Sequence, residues 1–172
     1  NGVACKKSGA TTKTSGGTYK CAKNPLVTNS KLTWLSLDCV TAATDAVKAE
    51  KSAITTAANF KAQLPVIELG ITTETANKAE IQVKLDAATL RLTAAQAKLA
   101  AAKTDADKRL LTTAVSSWTS ATRAYASKIR NIDLTIKKLE AAKLAATNKP
   151  AELASNVTNA RDSAKLICTK GF

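Results

Sequence analysis

Four cysteines, Cys5, Cys21, Cys39 and Cys168, are the residues of this chain best suited to chemistry. Thiols act in redox relays, in metal sites or as structural disulfides. No pair has the C-x-x-C spacing of a redox or zinc motif, and histidine, the usual nitrogen ligand, is absent from the sequence. Disulfides are the remaining role. The lack of histidine also removes the commonest general base, so a serine nucleophile would need a lysine beside it. Asp105 with Asp107, and Asp133 with Glu140, are the carboxylate pairs open to acid–base work, but on helices such residues serve as caps or solvated faces. No glycine-rich phosphate loop follows a strand. The sequence therefore reads as non-enzymatic, with no cofactor and no metal.

The elements that place these cysteines divide the chain in two. Residues 1–36 contain most of the glycine, six lysines and no acidic residue. Gly16-Gly17 supplies the positive φ angles of a tight turn, Thr18-Tyr19-Lys20-Cys21 alternates as a strand does, and Leu32-Thr33-Trp34-Leu35 forms a second β-like run. This predicts a small basic β-hairpin module, with a loop over residues 24–30. The pieces Gly2-Val3-Ala4-Cys5, Gly9, Gly16-Gly17, Tyr19-Lys20-Cys21 and Lys31-Leu32-Thr33-Trp34 resemble a short G-x-x-C, Y-x-C, K-L-x-W module that recurs in secreted proteins of Actinobacteria. The resemblance covers residues 2–34 and implies export; it carries no particular activity and leaves the rest of the chain unassigned.

Residues 37–172 are alanine-rich and helical in pattern. The chain has 34 alanines against 35 Leu, Ile, Val and Phe together, a composition suited to thin, closely packed helices. Four helices are predicted, over residues 38–63, 73–103, 105–147 and 150–168. Pro65 ends the first, with residues 65–71 as a connector, and Pro150 opens the fourth. Ile81, Leu85, Ala88, Leu92, Ala95 and Leu99 form one seam, and Leu111, Val115, Trp118, Thr122, Tyr125, Ile129, Ile132, Ile136 and Leu139 another. The two are out of phase by two residues, and Thr104 with Asp107 has the spacing of a capping box, so a turn is placed between them; the alternative is one unbroken helix of roughly 75 residues with a phase shift, since neither Gly nor Pro intervenes. Lys165, Lys170 and Gly171 are read as a basic last turn and a stop. The fold class expected is mainly α: an antiparallel helical bundle or long helical hairpin with a small, disulfide-linked N-terminal β-hairpin module. In an up-down-up-down order, the start of the first helix and the end of the last share one end. That order makes Cys39–Cys168 and Cys5–Cys21 the natural choice among the three pairings.

Charge and length supply the functional expectations. Lys and Arg outnumber Asp and Glu by 26 to 13, a net charge of +13, and no stretch is apolar enough for a membrane span. Disulfides and a chain that starts without Met are read as a secreted protein after signal-peptide removal, located outside the cell or on its surface. A third helix of roughly 60 Å against a first of about 38 Å would overhang. The exposed stripe at that end, with Leu139 and Leu144, together with Tyr19 and Trp34, is the expected contact between copies in an extracellular filament or surface layer. The alternative is a binding module in which Lys6, Lys7, Lys13, Lys20 and Lys23 grip an anionic polymer such as cell-wall polysaccharide or nucleic acid. For Tyr19 and Trp34 there is a plainer role as the core of the small module. The 24 threonines fall on no convincing repeat and are read as exposed helix-face residues.

Overall fold

The computed structural model describes residues 1–169. Three strands, β1 (Thr11–Thr14), β2 (Gly17–Lys23) and β3 (Leu32–Ser36), precede two helices, α1 (Leu37–Ala101) and α2 (Asp105–Thr169). The mainly helical fold with a small N-terminal sheet is as expected from sequence, but the four helices are two. Lys170 and Gly171, read as the stop, lie outside the described residues.

The sheet is antiparallel in the order β1-β2-β3, with Thr14 paired to Gly17 and Cys21 to Trp34. The hairpin turn is therefore Ser15-Gly16, one residue earlier than the Gly-Gly reading placed it. Gly17 opens β2 at φ 131°, a conformation that side-chain-bearing residues rarely adopt. The first residues lie beside β3: Gly2 N–H donates to the Trp34 carbonyl at 3.0 Å and Trp34 N–H to the Val3 carbonyl at 2.8 Å. Cys5–Cys21 ties this segment to the central strand.

Ser36 starts α1, its hydroxyl accepting from Cys39 N–H at 3.2 Å, with Asp38 in the first turn favoured by the helix dipole. Both prolines lie inside helices. Pro65 was expected to stop α1 because it removes one hydrogen bond and crowds the preceding turn, at about 3 kcal/mol. It does not, because the half-buried positions stay in step across it: Ala57, Phe60, Leu64, Ile67 and Ile71. Packing of that face offsets the loss, and Lys61, whose carbonyl loses its donor, is exposed, so water can take the donor's place. The 65–71 segment is thus helix and not a connector. Pro150 continues α2 in the same way, between Ala146 and Leu153 on the inner seam.

The turn at Thr104 is where the phase shift placed it. Thr104 Oγ accepts from Asp107 N–H at 3.1 Å while its hydroxyl donates to the Asp107 carboxylate, and the Lys108 N–H closes the first turn on the Thr104 carbonyl. Many threonines of both helices donate to the carbonyl four residues back, as Thr44, Thr89, Thr119 and Thr158 do. This local bond explains how so much threonine is accommodated in helix.

The chain forms two compact units, Asn1–Gln63 with the chain from Ala146 on, and Leu64–Ala145. In each, α1 and α2 pack antiparallel through small residues. The first unit buries Ala43, Ala46, Ala146 and Ala164 with Tyr19, Cys21, Leu35 and Cys39; the second buries Ile81, Ala88, Ala95 and Ile132. Cys39–Cys168 joins the start of α1 to the end of α2 in the first unit, as the helix order required, and Arg161 pairs with Glu50 at 2.6 Å. The second is flanked by Lys78–Asp133 at 2.6 Å, Lys143–Glu68 at 2.8 Å and Arg91 stacked 4.9 Å from the Trp118 ring.

Candidate functional site

The residues whose types suit chemistry are taken up structurally. All four cysteines are in disulfides. Asp107 caps α2, Asp133 is paired to Lys78, and Asp105 lies 3.9 Å from Lys108. Among the described residues, no three of His, Cys, Asp and Glu come together as a metal site, and no helix is long and apolar enough to cross a membrane.

The four residues expected to touch another copy do not form one surface. Tyr19 is 3% exposed and belongs to the core of the module, so its ring is not presented to a second chain. Trp34 is half-buried beside Cys21 on the same face of the sheet. Leu139 is half-buried and lies over Gly70: a Cβ there would meet Leu139 Cδ1 at 3.3 Å. The turn of α1 that sequence reading made a connector therefore covers it. Leu144 is exposed. With two helices of 65 residues each, the length mismatch behind the expected overhang is gone.

The lysines of the sheet module stay uncompensated. Lys13 and Lys20 share one face, each two residues along its strand from the other's partner. Lys6 and Lys7 lie in the loop before β1, and Lys23 ends β2. Among the described residues none of these five takes an ion-pair partner, and the module has no acidic residue of its own.

One exposed apolar seam was missed in the sequence. In the second unit, Val66, Leu69, Val83 and Leu90 of α1 are 71%, 67%, 68% and 73% exposed. Ala76, Ala87, Ala94, Ala97 and Ala101, also exposed, extend them at steps of three and four. This outer seam runs two residues out of step with the buried Ile81–Ala88–Ala95 seam, which is about 200° around the helix and so on the opposite face. Two internal comparisons mark it as particular to this stretch. In the first unit, the same outer face of α1 carries Thr41, Asp45, Lys48, Ser52, Thr55 and Asn59. The outer face of α2 in the second unit carries Thr113, Ser117, Ser120, Ser127, Asn131 and Lys138, with Leu110 and Leu134 the exposed large apolar residues on that face. The signal was available as a second 3-4 rhythm, hidden because alanine occurs nearly everywhere and the inner seam had already accounted for the helix.

Glu80 lies in this outer seam and bonds Lys84 one turn on, at 2.5 Å. That hydrogen bond, with the lysine's charge, holds the Glu80 carboxyl below its ordinary range and raises Lys84. Both line a polar groove of about 330 Å³ with Glu74, Asn77 and Lys128. A second groove, of about 230 Å³, lies in the first unit between Ile54, Ala57, Pro150, Leu153 and Val157 and is apolar. Neither holds a set of groups arranged for catalysis.

No protein family model, characterised protein or solved structure matches the chain.

Proposed function

We propose that the chain is a structural subunit that works outside the cell as an assembly of its own copies, in a filament or surface layer. The observation that carries this reading is the outer seam of α1. Four large apolar side chains spaced along one helix face, each about two-thirds or more exposed, are of the kind that soluble chains cover with a partner. The 3-4 spacing fits a partner that is itself a helix. Two disulfides fit an oxidising compartment, and the likeness of residues 2–34 to a module of exported proteins supports the same location.

Negative-stain electron microscopy of the unreduced protein tests it. Ordered filaments or sheets that vanish in the Leu69→Lys/Leu90→Lys variant are expected; dispersed particles at every concentration would remove the proposal.

The unpaired lysines of the module favour a second reading, in which the sheet grips an anionic polymer. Binding to a polyanion would fall steeply with salt, and replacing Lys6, Lys7, Lys13, Lys20 and Lys23 by Gln would abolish it while leaving the helical signal unchanged.

A further inference from the structure

We infer that the outer seam of α1 pairs with the same seam of a second copy, antiparallel, about a two-fold axis between Ile81 and Gln82. This rests on the reading that the seam mediates self-association, and adds the partner's orientation and register. The register follows from side-chain size. Centred there, Val66 faces Ala97 of the second copy, Leu69 faces Ala94 and Leu90 faces Thr73, so large residues meet small ones toward both ends of the seam, while beside the axis Val83 packs against the aliphatic stem of Glu80. A shift of one heptad leaves one end of the seam uncovered or sets Leu90 against Val66.

Charge selects the same arrangement. Glu80 is the one charged residue within the seam from Val66 to Ala101. A parallel, in-register pair would set Glu80 against Glu80 in the middle of an apolar contact, a like-charge clash. In the antiparallel pair, Glu80 comes level, to within about 1.5 Å along the axis, with Lys84 of the second copy. Each copy already holds a Glu80–Lys84 pair, so the two pairs combine into four charges of alternating sign across the axis.

The size is sufficient. The paired stretch from residue 66 to 97 is about 48 Å long and a helix with side chains is about 10–12 Å wide. Two copies then bury on the order of 1,200 Å², where specific interfaces begin. An isologous contact of this kind closes on itself, so the dimer is the repeating unit and a filament or layer needs a second contact elsewhere on the chain.

Spin labels on the full, unreduced chain read the orientation directly, because the native cysteines are all bonded to one another. Labels at Ala79→Cys, Thr72→Cys and Thr93→Cys, each in a separate sample, flank the seam on one side. The antiparallel pair sets like labels under about 15 Å apart at 79, about 30 Å at 72 and about 36 Å at 93. Equal short distances at all three sites would keep self-association and overturn the antiparallel register. No inter-chain distance at any site, with monodisperse monomer, would overturn both. Glu80→Lys and Lys84→Glu each alone should weaken the dimer at least tenfold, and an equimolar mixture of the two should restore it; unchanged dimerisation in both single variants would remove the Glu80–Lys84 contact from the proposal.

Discussion

Removing the Cys39–Cys168 bridge is the perturbation whose size follows most directly from the structure. Cys39 is fully buried in the first turn of α1 and Cys168 half-buried in the last turn of α2, with Cα atoms 4.7 Å apart across a sequence separation of 129. In the unfolded chain that bridge closes nearly the whole helical part. Loop-closure entropy makes it worth about 5 kcal/mol, against about 3 kcal/mol for the short Cys5–Cys21 loop. Total stabilities of single domains are about 5–15 kcal/mol, so the loss is a third of the stability or more. The variant is Cys39→Ala with Cys168→Ala, and the assay is urea unfolding followed by circular dichroism at 222 nm without reductant. With a urea slope of about 2 kcal/mol per molar, the midpoint should fall by about 2.5 M, and by about 1.5 M for the Cys5→Ala/Cys21→Ala pair. A loss under about 1 kcal/mol for the long bridge, or a larger loss for the short one, would refute the argument that these bridges act by restricting the unfolded chain.

Three smaller outcomes follow from single sites. Pro65→Ala restores an N–H to the middle of α1 and should stabilise the chain by up to about 3 kcal/mol in the same assay; destabilisation would mean the proline is needed for packing. Thr104→Ala removes the hydroxyl that caps α2 and should cost about 1 kcal/mol. Glu80 is held below the ordinary carboxylate range by Lys84, so what this exposed pair contributes is complete at neutral pH and is lost as pH falls through the lowered Glu80 value. An NMR titration should show the Glu80 carboxyl returning upward in Lys84→Gln.

The parts of the fold that could be read from sequence are those set by local chemistry. The Thr104–Asp107 spacing located the turn, because a capping box satisfies donors that only a helix start leaves open. The cysteine pairing followed from helix order, and an even number of crossings survives whether there are two helices or four. Pro65 and Pro150 misled because a local cost of about 3 kcal/mol was weighed without the burial on either side of it. Ile67 and Ile71 continue the inner seam, a tertiary fact that proline's local rule does not contain. That one misreading produced the overhang, and with it Leu139 as an exposed contact. Tyr19 went the other way: a three-stranded sheet this small has few side chains large enough to close its core, and it uses this one. The α1 outer seam was legible as spacing but not as exposure, since only the structure shows which of two apolar rhythms on one helix is buried.

The association of copies through that seam is tested most directly by sedimentation equilibrium of the unreduced protein over a range of concentrations, beside Leu69→Lys/Leu90→Lys. The account requires a native mass of two chains or more that rises with concentration, and a variant that stays at the mass of one chain with unchanged helicity. A native protein of single-chain mass throughout, or a variant that associates as the native chain does, would contradict it.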